Sequence, residues 1–106
     1  MKKQKKFQEM LDIVEQDVDE LVEAEKSYGN SWRKRGGIGA FMMLARKWDR
    51  IENQVRCHNF DIFSAIRNDT RPEGIMDDIH DLRRYLILVE QYATRSDDED
   101  IHTDEG

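Results

Sequence analysis

The residues with the clearest chemical character lie between Lys26 and Arg50, in the stretch KSYGNSWRKRGGIGAFMMLARKWDR. Both tryptophans, a run of glycines and a dense basic cluster fall together there. These types stack on rings, grip anions and let backbone approach closely. Arg46, Arg50 and Asn53 are four and three apart, so on a helix they share one face, with Lys47 beside them. The preceding segment adds Arg33, Lys34 and Arg35 next to Trp32, and its glycines leave backbone amides at the start of a helix, where the dipole favours an anion. Tyr28 and Trp32 offer flat faces on which a base can stack, while Asn30 and Ser31 can read a base edge or a ribose hydroxyl. Taken singly, each residue reads as a solvated charge or a helix-end plug. Taken together they read as a site for a nucleotide. Gly36-Gly37-Ile38-Gly39 is not an ATPase phosphate loop, because no lysine and serine or threonine follow the last glycine.

A second constellation lies in IMDDIHDLRRY. Asp78 and Asp81 are three apart, Tyr85 follows four later, and Asp77 pairs with Asp81 on a helix face. With Glu20 and Glu23, such carboxylates have the oxygen chemistry to hold magnesium against a nucleotide's phosphates, which would make a hydrolase. The plainer reading has Asp77 and Asp78 favouring a helix N-terminus while Asp81 holds Arg84, Arg50 or Lys47. His58, His80 and His102 have no regular spacing, and Cys57 is the only cysteine, so no histidine or cysteine metal site and no internal disulfide is expected. No catalytic residue, metal or cofactor is assigned.

Helices must position these groups. Phe7, Leu11, Val14, Val18 and Leu21 repeat in steps of four and three, which predicts a first helix over residues 6–26 ending at Ser27-Tyr28-Gly29-Asn30. The glycines then extend a loop before Phe41, Leu44, Trp48, Ile51 and Val55 mark a second helix over 39–57, with Trp48 in the core. A short helix is expected within 59–67. Thr70 and Glu73 have the form of a capping box before a last helix over 72–94, whose stripe is Ile75, Ile79, Leu82, Leu86, Val89 and Ala93. The expected fold is all-α: a small bundle of three main helices plus one short helix, in a single domain over 1–95. Residues 96–106 are expected to form a disordered acidic tail. Met42, Met43, Tyr85, Ile87 and Tyr92 lie outside the main stripes, which predicts a homo-oligomer, a dimer or tetramer.

Composition agrees with a water-soluble helical chain: 106 residues, 38% charged, 38% hydrophobic and one proline. No apolar run has the length of a membrane span and no signal-peptide core follows the basic N-terminus, so a cytoplasmic location without membrane contact is expected. The net charge of -6 is matched by six acids of the tail. Within the body, residues 7–25 hold eight acids and no lysine or arginine, whereas residues 26–56 hold eight bases against Asp49 and Glu52. That asymmetry favours an anionic ligand at the basic middle. Nucleic acid is the less favoured anion, because the acidic tail would compete for the same face.

YGNSW, the glycine-containing segment, the helix with LARKWDR and the later DDIHDLRRY resemble the small phage and prophage helical proteins grouped as the nucleotide-modification-associated domain 1 family. The resemblance spans roughly residues 26–89. The D-x-x-D-L-x-x-Y element is also similar to the last metal-binding helix of all-α nucleotide pyrophosphohydrolases of the MazG type. Those enzymes pair an E-x-x-E helix with a closely following E-x-x-D helix; here E-x-x-E occurs only at Glu20 and Glu23, and the central helix carries bases instead. The resemblance implies a phage origin and a nucleotide ligand. The residues expected to hold that ligand are Tyr28, Asn30, Ser31, Trp32, Arg33, Arg35, Lys47, Arg50, Asp81 and Tyr85. The resemblance further suggests the class of phage sponges that sequester cyclic or modified nucleotide signals of bacterial immunity, as against CBASS or Thoeris defence. The rival expectations are a magnesium-dependent pyrophosphohydrolase and a nucleic-acid or protein adaptor.

Overall fold

The computed structural model describes residues 4–95, and every regular element among them is helical. The expected acidic tail over 96–106 lies outside the described residues. In chain order the elements are α1 (Lys5–Tyr28), a single 3-10 turn (Ser31–Arg33), α2 (Gly36–Arg56), α3 (Ile62–Arg67) and α4 (Ile75–Thr94). Three long helices and one short one match the expected inventory. No helix of the described chain is long and apolar enough to cross a membrane. The chain separates into two compact units, residues 1–30 and 31–106.

The first unit is α1. Side-chain pairs one turn apart support it: Gln8 donates to Asp12 at 3.0 Å, Gln16 to Glu20 at 3.0 Å, and Lys26 meets Glu23 at 3.0 Å. The helix stops at Gly29, whose positive φ of 58° suits glycine and whose N–H donates to the Glu25 carbonyl at 2.8 Å. The expected apolar stripe exists as a face, but Phe7, Leu11, Val14 and Val18 are each 45–48% exposed. Only Leu21 of the five is half-buried. The one buried residue of α1 is Asp17. Periodicity correctly locates the helix and its face; it does not supply a cover for that face.

In the second unit α2 packs along α4, and α3 closes against both. Ala40 and Ile51 of α2, Ala65 of α3 and Ile75 of α4 are its buried apolar residues. Two boundary expectations are corrected. Helix α2 begins at Gly36, so Gly36, Gly37 and Gly39 belong to the helix instead of a loop. Each glycine disfavours helix by about 1 kcal/mol, but the packing of α2 against the 3-10 turn and α4 overrides that preference. The face of α2 is also rotated from the expected one: Trp48 is 55% exposed and Phe41 63%, while Ala40 and Ile51 are buried. Trp48 is therefore not core in the chain by itself.

The start of α4 is likewise not the expected Thr70–Glu73 box. Gly74 is the residue before the helix, its N–H donates to Asp77 Oδ2 at 2.9 Å, and Ile75 N–H donates to Asp69 Oδ2 at 2.6 Å. Asp69 is clamped in turn by Arg71 through two bonds of 2.9 and 3.0 Å. A Cβ on Gly74 would meet the Asp69 carboxylate at 2.4 Å, so this arrangement requires glycine. The paired Arg71 guanidinium and the Ile75 N–H hold the Asp69 carboxyl well below the usual carboxylate range. Helix α3 is capped by Asp61, whose Oδ1 accepts from Phe63 and Ser64 N–H at 3.0 and 3.1 Å.

Candidate functional site

The residues expected to bind a ligand are divided between the two units. Tyr28 and Asn30 belong to the first, both exposed, with Tyr28 71% exposed. Ser31, Trp32, Arg33, Arg35, Lys47, Arg50, Asp81 and Tyr85 belong to the second. There they form two groups, one at the 3-10 turn and one along the seam between α2 and α4.

At the turn, the basic triplet is split by burial. Arg33 is buried, with its guanidinium over the Tyr92 ring at 4.4 Å from the centroid. Arg95 lies over the same ring at 3.4 Å, and Trp32 meets it edge-on, centroids 6.0 Å apart at 88°. Cations over an aromatic face are stabilised by the ring quadrupole, and the edge-on tryptophan is a favoured aromatic geometry. Tyr92, near the end of α4, thus organises this group, although sequence reasoning leaves it only as a residue off the main stripe. Its signal is its place seven residues after Tyr85, on the same face of α4 two turns on. Ser31, Lys34 and Arg35 remain exposed beside the turn.

Along the seam, the cations of α2 meet the carboxylates of α4. Arg50 Nε donates to Asp78 Oδ1 at 2.7 Å, and its Nη2 reaches the Glu73 carbonyl at 3.4 Å. Lys47 Nζ lies 2.9 Å from Asp81 Oδ2 and 3.9 Å from Asp78 Oδ1. Asp78 is buried, Lys47 mostly so, whereas Arg50 and Asp81 each keep about two-fifths of the side chain open, at 40% and 42%. The neighbouring carboxylate raises the Arg50 pKa above the ordinary guanidinium value. Arg46 and Asn53, by contrast, are exposed, so Arg50 sits at the edge of the expected Arg46–Arg50–Asn53 face, turned to Asp78. The geometric reason is that Lys47, Arg50 and Ile51 lie on the side of α2 turned to α4, and Arg46 lies off it.

This seam realises the plainer expectation for Asp81, which holds Lys47, and gives Asp78 a partner in Arg50. A buried carboxylate needs such compensation, because removing an ion from water without a counter-charge is strongly unfavourable. The second oxygen, Asp78 Oδ2, has no hydrogen-bond partner among the described residues. Chemically it would take a donor and repel a phosphate. Tyr85 is half-buried one turn beyond Asp81. No cluster of three or more histidine, cysteine, aspartate or glutamate side chains able to hold a metal ion occurs among the described residues.

Comparison of the chain with protein-family profiles, with curated proteins and with solved structures returns no match. The resemblance to the nucleotide-modification-associated domain 1 family is therefore carried by YGNSW, LARKWDR and DDIHDLRRY alone.

Proposed function

We propose that this chain is a phage-encoded protein that binds a nucleotide immune signal, a cyclic dinucleotide first among them, and sequesters it intact as a homo-oligomer. In this reading Lys47, Arg50 and the exposed Arg35 neutralise phosphates, Trp32 stacks on a base, and Ser31 selects base or ribose. Arg33 supports the site from beneath through Tyr92. The observation that carries the reading is the exposed Ser31 and Arg35 beside Trp32 at the turn; at the seam Lys47 and Arg50 are each paired with a carboxylate, so a phosphate there competes with Asp81 and Asp78. A magnesium-dependent pyrophosphohydrolase needs Asp78 and Asp81 for its metal, and their pairing with Arg50 and Lys47 argues against that metal site.

A second reading, favoured by the burial of Asp78, makes the seam a strut between α2 and α4 with no ligand. One experiment separates the readings. The chain is titrated calorimetrically with cyclic dinucleotides, cyclic trinucleotides, cyclic ADP-ribose isomers and nucleoside triphosphates, and each complex is then denatured and its ligand chromatographed. Saturable binding with the ligand recovered unchanged is the expected result. Lys47→Met should weaken that binding at least tenfold while retaining the helical content. Recovery of a cleaved product that disappears with a chelator would establish the hydrolase, and no binding across the panel would leave the strut.

A further inference from the structure

We infer that a second copy of this chain covers the apolar face of α1, and that the face of the second copy that does so is the exposed apolar stripe of α2. The inference rests on the self-association in the reading above, but on nothing about its ligand.

Two exposed stripes carry it. On α1, Phe7, Leu11, Val14 and Val18 follow the four-three spacing of a helix–helix seam, and Met10 and Val22 widen it, at 53% and 50% exposed. On α2, Ile38, Phe41, Met42 and Trp48 recur at helical spacing and are 55–82% exposed, on the side of the helix away from Ala40 and Ile51. Contiguous apolar faces of this size are uncommon on a monomer. At 45–82% exposure, these side chains leave roughly 1,000 Å² per chain, near the ~800 Å² per partner of a standard stable interface.

Charge decides which face meets which. Two α1 helices laid together would bring the eight acids of residues 7–25 against another eight, with no base in that span. The α2 stripe offers the opposite sign. Arg35 and Arg46 lie near Met42, one two turns before it and one a turn beyond, and both are exposed. Glu15 and Asp19 of α1 are exposed likewise, beside Val14 and Val18. Pairing α1 of one copy with α2 of another buries apolar on apolar and sets these flanking charges in opposition. Each copy owns both faces, so each copy can both give and receive this contact.

The test uses the full chain. Sedimentation velocity from about 1 to 200 µM should give a mass of at least two chains at the upper end, falling to one chain on dilution. Val14→Glu combined with Val18→Glu should abolish the association and leave the heat-unfolding transition of the second unit in place. A single-chain mass at every concentration overturns the inference, as does an oligomer indifferent to the double variant. Cysteine pairing then fixes the partner face. In a Cys57→Ser background, a mixture of Val14→Cys and Met42→Cys chains should oxidise to the mixed dimer in large excess over either self-dimer. Self-dimers of Val14→Cys as the main product would overturn the assignment to α2. Loss of nucleotide binding with the oligomer intact would overturn the ligand reading and leave this one standing.

Discussion

Helix α1 and the pair formed by α2 and α4 are built from similar patterns and end in opposite conditions. Along α1 the apolar stripe from Phe7 to Val18 is 45–48% exposed and the single buried residue is an acid, Asp17. Between α2 and α4, Ile51 and Ile75 are buried at 5% and 1% exposed, and the buried acid Asp78 is met by Arg50. The amphipathic period is equally clear in both. It states that a face needs cover, and only the partner's shape and charge decide whether the same chain provides it. The electrostatics differ in the same sense: cations of α2 answer the acids of α4 locally, whereas residues 7–25 have no base among themselves.

The largest effect that would break this contrast is at Ile75. Ile75→Ala should cost about 2–4 kcal/mol in urea unfolding, from lost burial plus a cavity. Leu11→Ala, in dilute chain, should stay within about 0.5 kcal/mol of the parent. Equal costs at low concentration would erase the distinction. If a second copy covers α1, the gap should narrow as protein concentration rises.

Gly74→Ala comes next. The added methyl must displace the Asp69 carboxylate that holds the first N–H of α4, so a loss of about 1–3 kcal/mol is expected, measured by the thermal midpoint. Gly37→Ala, whose Cβ meets nothing within 4 Å, should instead stabilise by a few tenths of a kcal/mol through helix preference. Similar losses at both would show that the start of α4 is not the sensitive point.

A smaller, pH-dependent difference is expected at Asp69. Its folded pKa is depressed, so the stabilisation from its ionised form is complete above the unfolded value near ~3.9 and is lost as pH falls below that toward the folded pKa. Asp69→Asn should therefore be less stable than the parent at pH 7, with the difference shrinking between about pH 4 and pH 2, followed by far-UV circular dichroism. A difference independent of pH would assign the role of Asp69 to shape and not charge.

The smallest effect sits where α2 turns toward α3. Asn59 and Phe60 both have positive φ, 57° and 62°, and Phe60 is exposed. Phe60→Gly should raise stability by about 0.5 kcal/mol by relieving a backbone conformation costly for a phenylalanine, balanced in part by the greater entropy of glycine unfolded. A clear loss instead would mean that its ring, with Arg56 5.9 Å from the centroid, contributes more than the strain removes.

The sequence by itself determined the helices. Phe7 to Val18 has the period of one, Gly29 ends it, and the stripe from Ile75 to Val89 marks another, because local hydrogen bonding and side-chain period act within a few residues. It also set the segregation of acids and bases and narrowed the partner of Asp81 to Arg84, Arg50 or Lys47. Only tertiary structure decided which side of α2 is inward, and so put Ala40, Lys47 and Ile51 toward its neighbours and Trp48 and Phe41 toward solvent. Two adjacent faces of α2 are apolar enough to pack, and the choice between them depends on α4, some 25 residues away. Tertiary structure alone likewise set Arg33 on Tyr92 and Arg50 on Asp78. Those contacts join residues with no shared period, through a ring and a carboxylate whose positions are fixed by the elements that carry them.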